Sequence, residues 1–270
     1  LRALPVLTDA PRWAAGLLCL TSPCPPDRTY YGAWGHFAAS IAQRYPGSVA
    51  LEVWNEPNKR GYWSTLLGPD PRQYAEVFRA AADAVHATAP SMPVLIGGLA
   101  PVGSDEPLGD TRSPTFLARF YDYAGSALWP GDGLAVHPYP NSDELSRAEL
   151  DDPESDFSTY LKRLREVRDA RDPAGSSRRL WATEIGYSLT GARAVSEAGQ
   201  AQGVISAIDA LSAMPDVSAV LVHRLADPSA SLRLASAERG YGLLRSDLRP
   251  RRSYCDLAAH EQRPKPAGCP

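Results

Sequence analysis

Glu52-Val53-Trp54-Asn55-Glu56-Pro57-Asn58 is the stretch from which the rest of the chain is read. Val49–Trp54 reads as a strand, and alternation along it puts Glu52, Trp54 and Glu56 on one face. Pro57 cannot extend a central strand, so the run ends with Glu56 at its carboxyl edge. In parallel α/β folds that edge is where ligands bind. A carboxylate there, beside the Asn55 amide, is a candidate acid or base. The competing reading is a Glu that caps the next helix or pairs with a basic residue.

On both sides of this stretch, short apolar runs alternate with amphipathic ones. Arg2–Leu7 reads as the first strand and Tyr31–Tyr45 as a helix. In that helix Trp34, Phe37, Ile41 and Tyr45 recur at spacings of three and four, which predicts a buried stripe. After Val49–Trp54 comes a helix over Pro71–Ala89, opened by Asp70-Pro71 as a cap with proline in the first turn. The same alternation gives strands at Pro93–Gly98, Gly133–Tyr139, Leu180–Ile185 and Val217–Val222. Helices are expected at Pro114–Ala124, Phe157–Arg171, Glu197–Met214 and near Tyr254–His260. Six strand-then-helix units without a hairpin signal imply a parallel sheet covered by helices. No low-complexity linker divides them, so residues 1–262 are expected to form one domain, followed by a Pro-rich tail at 263–270.

Six units suit either a doubly wound sheet or a barrel. No Gly-rich phosphate loop follows any strand, which removes the usual mark of a nucleotide-binding sheet. An eight-unit barrel needs about 250 residues, roughly 30 per unit. If the fold is a barrel, two further units are therefore expected upstream of Leu1.

The chain has 270 residues with 44% apolar and 22% charged side chains, and a formal net charge of −3. The scattered charges exclude a nucleic-acid footprint and a polybasic membrane surface. No apolar run approaches the ~18 residues of a membrane helix. Cys19 with Cys24, and Cys255 with Cys269, are local pairs without Cys-x-x-Cys spacing. Two disulfides in an exported, extracellular protein are expected, although three pairings remain open. No leader segment is visible, so it has been removed or lies upstream. His36, His86 and His260 lack ligand spacing, and neither a metal nor a cofactor is expected. The expected state is a monomer with no nucleic-acid or membrane partner.

Two more strands deliver polar groups to the same edge. In Leu180-Trp181-Ala182-Thr183-Glu184-Ile185-Gly186 alternation groups Leu180, Ala182 and Glu184, and turns Trp181 toward the strand–helix layer. In Leu134-Ala135-Val136-His137-Pro138-Tyr139, His137 and Tyr139 share a face. Val-Trp-Asn-Glu-Pro-Asn (53–58), His-Pro-Tyr (137–139) and Trp-Ala-Thr-Glu-Ile-Gly (181–186), in this order, resemble glycoside hydrolase clan A, whose members include cellulases, mannanases and β-xylosidase relatives. Gly240–Leu244 and Arg249–Tyr254 resemble the clan's closing loop and final helix.

The resemblance implies a (β/α)8 barrel of which strands three to eight are present. It also implies retaining hydrolysis of β-glycosidic bonds in oligo- or polysaccharides. By it, Glu56 matches the general acid/base and Glu184 the nucleophile. Asn55 matches the residue bonding the sugar 2-hydroxyl. Tyr139 resembles the residue holding the nucleophile, and His137 a second shaping residue of that strand. The chemistry asks Glu184 to be ionised and Glu56 to keep its proton through burial and the nearby negative charge.

Trp63, with Tyr62, follows the acid/base loop and is a candidate sugar-stacking platform, a loop aromatic covering the barrel mouth being the alternative. Trp13 is a weaker candidate of the same kind. Trp34 and Trp129 are expected to pack on helices, and Lys162–Arg171 to be a solvated helix face. The sequence departs from the clan at Val222-His223-Arg224-Leu225-Ala226-Asp227, where a Trp normally lies beneath the sugar. The competing functional class is a carbohydrate-binding barrel without turnover, and a dehydrogenase-like α/β enzyme is a third.

Overall fold

The computed structural model describes residues 2–124, 128–129, 132–139, 156–229, 232 and 235–269. The alternation becomes six parallel strands: β1 (Val6–Leu7), β2 (Leu51–Asn55), β3 (Val94–Leu99), β4 (Gly133–Val136), β5 (Leu180–Ile185) and β6 (Val217–Val222). Their order in the sheet follows the sequence, β1-β2-β3-β4-β5-β6. Between and after them run α1 (Tyr31–Arg44), α2 (Pro71–Thr88), α3 (Ser113–Ala124), α4 (Asp156–Arg171), α5 (Glu197–Ser212) and α6 (Arg252–His260). Prolines bound the two strands that fall furthest short of expectation. Pro5 has no amide hydrogen for a ladder, so β1 keeps two residues, although the Pro5 carbonyl still accepts from Glu52 N at 2.9 Å. Pro138 likewise confines β4 to Gly133–Val136.

By their contacts the described residues divide into two compact units, Leu1–His137 with Lys162–Trp181, and Pro138–Leu161 with Ala182–Pro270. The first unit carries β1 to β4 and the start of β5. Val6 and Leu7 pair with Glu52 and Val53, and Leu51, Glu52, Val53 and Asn55 with Val94, Leu95, Ile96 and Gly98. Trp54 has no partner in this register, and its φ of 76° puts it in the left-handed region. Two side chains satisfy the ladder there. The Tyr74 hydroxyl of α2 accepts from Gly97 N at 2.5 Å and donates to Val53 O at 2.9 Å, while Glu52 Oε1 accepts from Gly98 N at 2.8 Å.

This irregularity overturns the expected face of Trp54. Its ring packs against Trp34 of α1 (5.9 Å between centroids) and Trp63 (5.0 Å), and Nε1 donates to Tyr62 O at 2.7 Å. The expected stripe of α1 also differs. Trp34 is buried together with Gly35, Ala38, Ala39 and Ala42, whereas Phe37 and Tyr45 are about half exposed. Gly35 lies against the Ala80 carbonyl of α2 so closely that a Cβ would collide with it. Only small side chains let the two helices approach that far. The helix α2 starts as its sequence dictates, with Asp70 Oδ1 accepting from Arg72 N (2.9 Å) and Gln73 N (3.1 Å) ahead of Pro71.

Trp181 corrects another expectation. It packs with Ala50, Leu95 and Ala135, which by alternation share a face with Glu52 and His137, and it fills the space beside Gly133. Arg168, expected on a solvated face, is almost fully buried and donates from Nη1 to Arg178 O at 3.1 Å. Arg178 is buried as well. It pairs with Asp172 and donates to the carbonyls of Trp129 and Asp132, both at 3.0 Å. Trp129 lies in a loop and packs on a helix as expected, its ring 4.5 Å from that of His86 and its Nε1 3.5 Å from Asp83 Oδ1, both on α2. Cys19 and Cys24 are disulfide-bonded in this unit.

The second unit holds the rest of β5, then α5, β6 and α6. Ser196 caps α5, its Oγ accepting from Gly199 N at 2.9 Å. Buried Gln200 donates to the carbonyls of Tyr187 (2.9 Å) and Gly240 (3.0 Å) and accepts from Ser253 Oγ of α6 at 2.7 Å. A disulfide from Cys255 to Cys269 ties the Pro-rich tail to α6. Among the described residues no helix is long and apolar enough to cross a membrane.

Candidate active site

Glu56 follows directly on β2, and its backbone adopts φ 44°. Its N–H donates to Gly98 O at 2.9 Å, so the β3 edge fixes the turn that aims its side chain. The residue is buried, with 6% of its surface exposed. His137 Nδ1 lies 3.2 Å from Oε1, where a ring N–H donates to the carboxylate. The Lys59 ammonium lies 2.9 Å from Oε2. The imidazole is itself buried in the space left by the missing side chain of Gly98, where a Cβ would run into Nε2.

Burial drives the Glu56 carboxyl upward, but the hydrogen bond and charge of His137, together with Lys59, outweigh it. They hold the group below the ordinary glutamate value. This differs from the sequence expectation of a carboxyl that keeps its proton. That expectation counted burial and a neighbouring carboxylate and left out the two basic partners.

Asn55 closes β2 opposite Gly98 and is half-buried. Asn58, which sequence reasoning quoted without a role, is fully buried and ties the loop down. Its Nδ2 donates to Ala100 O and Thr111 O, and its Oδ1 accepts from Ala100 N, all at 3.0 Å. Trp63 is fully buried, its ring edge-on to Trp54 and 5.9 Å from Tyr74. Such a ring has no open face on which a sugar could stack, so its expected role as a platform is replaced by packing under the loop. Trp13 is 70% exposed and meets Tyr30 edge-on at 5.4 Å.

In the second unit Glu184 lies near the end of β5. Tyr139 Oη donates to Glu184 Oε2 at 2.8 Å, the contact expected of those two residues. His223, directly after β6, brings Nδ1 to 3.9 Å from the same oxygen. Its ring stands edge-on to Tyr241 (5.2 Å) and Tyr139 (6.3 Å). Beyond it Arg224 Nη2 pairs with Glu238 Oε2 at 2.7 Å. Gly186 leaves room for the His223 carbonyl, against which a Cβ would collide. Sequence reasoning noticed position 223 only for its missing Trp. The available signal was a titratable side chain at a strand's carboxyl end, the same one that singled out Glu56.

No protein-family model and no curated protein matches the sequence. Solved structures do. A family 39 glycoside hydrolase from the gut symbiont Bacteroides cellulosilyticus WH2 superposes over 96% of this chain and 50% of its own, with a TM-score of 0.67 at 20% identity. The fold is that of a (β/α) barrel. A monomeric β-xylosidase from Caulobacter crescentus CB15 gives a TM-score of 0.66 at 20% identity over 96% of this chain and 52% of that one. A family 128 endo-β-1,3-glucanase from Sorangium cellulosum gives 0.55 at 17% identity over 83% and 75%. The chain thus spans about half the length of the first two. Its six parallel βα units share the barrel fold of these structures, as its motifs led us to expect.

Proposed function

We propose that this chain is a retaining β-glycoside hydrolase acting on oligo- or polysaccharides, with Glu184 as nucleophile and Glu56 as general acid/base. The observation that carries the reading is the pair of strand-end glutamates, each held by a dedicated hydrogen-bonding partner, His137 for Glu56 and Tyr139 for Glu184. Ligand-binding groups in barrel hydrolases lie at that edge of the sheet. The glycoside hydrolase fold and the order of the three motifs support the same assignment.

In the first step Glu184 attacks the anomeric carbon. The bond to the leaving oxygen breaks, and that oxygen takes the Glu56 proton. The ester formed removes the negative charge of Glu184. Glu56, now a carboxylate, then deprotonates the water that cleaves the ester and restores Glu184. Asn55 would hold the sugar 2-hydroxyl, and Tyr139 would keep the attacking oxygen aimed. The two disulfides favour an extracellular protein.

The test uses aryl β-glycosides. Glu184→Ala should lose turnover by at least about a thousandfold, and azide should restore part of it as the α-glycosyl azide. Glu56→Ala with azide should give the β-anomer. Absence of rescue in both, or the same anomer from both, overturns the assignment. The Lys59 ammonium on Glu56 favours a second reading, a barrel that binds sugar without turnover. A 2-fluoro glycoside that binds but never labels Glu184 would establish it.

A further inference from the structure

Glu56 has two carboxylate oxygens, and each faces a different kind of basic group. His137, on Oε1, is fixed: its ring is 1% exposed and seated over Gly98. Lys59, on Oε2, is less enclosed. Its side chain is 35% exposed, and its ammonium already stands over the Tyr62 ring, 5.1 Å from the centroid, in a cation–π contact. The Lys59 amide donates to Glu56 O at 2.9 Å, so the turn itself keeps the ammonium beside the carboxylate.

A general acid must present a proton to the leaving oxygen. With Oε1 turned to the buried imidazole, the oxygen left for that proton is Oε2, the one that Lys59 holds. An ammonium has three donors and no acceptor, so while it sits on Oε2 it favours the carboxylate over the protonated acid. We infer that Lys59 is a positioning residue that caps Glu56 Oε2 in the free protein and leaves that oxygen, keeping its seat over the Tyr62 ring, when the substrate's leaving group enters. The inference rests on the reading of Glu56 as acid/base. As the ammonium leaves, Oε2 takes up one proton from solvent, and that proton later passes to the leaving oxygen. The groups that set the ionisation of Glu56 are Lys59 on its own turn, His137 after β4 and, in the proposed reading, the Glu184 carboxylate.

This arrangement has a kinetic signature. The alkaline limb of kcat/KM reports the free protein, where Lys59 holds Glu56, and that of kcat reports the complex, where it does not. In the wild type the kcat limb should lie at higher pH than the kcat/KM limb. In Lys59→Met the kcat/KM limb should rise by about one pH unit, the size of effect expected of a nearby opposite charge, and the gap should close. Lys59→Arg should keep the wild-type limbs. A dinitrophenyl glycoside, whose leaving group needs little protonation, should show none of these shifts.

Coincident limbs in the wild type overturn the inference without any variant. An unmoved kcat/KM limb in a folded Lys59→Met does the same. The underlying reading fails separately, if Glu56→Gln hydrolyses glycosides of poor leaving groups at the wild-type rate.

Discussion

Replacing Asn58 with alanine tests how the loop bearing Glu56 is held. The side chain spans two segments, reaching both the N–H and the carbonyl of Ala100 and the carbonyl of Thr111. In the Ala variant the Ala100 carbonyl still accepts from Ser113 Oγ. The Ala100 N–H and Thr111 O lose the Asn58 side chain in a region with little water access. A stranded buried group costs about 1–3 kcal/mol, so the two together cost roughly 2–6 kcal/mol. At about 2–4 °C per kcal/mol for a chain of this size, the midpoint of thermal unfolding should fall by roughly 5–20 °C. Asn58→Asp should be no better, because it turns a carboxylate oxygen toward two carbonyls. Urea unfolding followed by fluorescence and circular dichroism would measure both variants, with an unchanged slope showing that the comparison is sound. A loss below about 1 kcal/mol for Asn58→Ala would refute the accounting of stranded groups.

Two further outcomes follow from the same unit. Gly98→Ala drives a methyl group into the His137 ring, so the imidazole must leave Glu56. We expect about 1–3 kcal/mol of destabilisation and at least about a tenfold loss of kcat/KM, whereas activity left intact would show that His137 is not needed on Glu56. Glu56 also gives stability a pH dependence. Its carboxyl is held below the ordinary glutamate value, so its contribution is present above the unfolded group's value of 4.5 and fades as pH falls through the folded one. The stability difference between wild type and Glu56→Gln should therefore be flat above pH 4.5 and should decline toward the Gln variant in more acidic solution. A difference that grows on acidification would contradict the sign.

Strand positions were readable because apolar runs bounded by proline and glycine have few other places to go. Leu180–Ile185 and Val217–Val222 are the strands that alternation and length predict. Faces were less readable. Alternation assumes extended backbone, and Trp54 at φ 76° breaks that assumption, so its ring joins Trp34 in the helix layer. Trp63 shows a related limit. Position after a motif does not encode burial, and the Trp63 ring fills the space between Trp54 and Tyr74. In the candidate site, the Tyr139–Glu184 contact was foreseeable from the resemblance of His-Pro-Tyr (137–139) and Trp-Ala-Thr-Glu-Ile-Gly (181–186) to the clan's motifs. Lys59 on Glu56 was not, since it depends on a turn whose shape follows from Pro57 and from the hydrogen bond that the Glu56 N–H donates to Gly98 O. Cysteine spacing left three pairings open, and the structure joins each local pair.

The phenol of Tyr74 stands in for part of a strand, joining Val53 and Gly97 where the ladder lapses. The direction of the glutamate three residues past Val53 is thereby a property of helix α2 as much as of the sheet. Redesign aimed at this carboxylate can therefore start on helix α2, where a change in how it seats itself would re-aim Glu56 while the residues that touch its carboxylate stay unchanged.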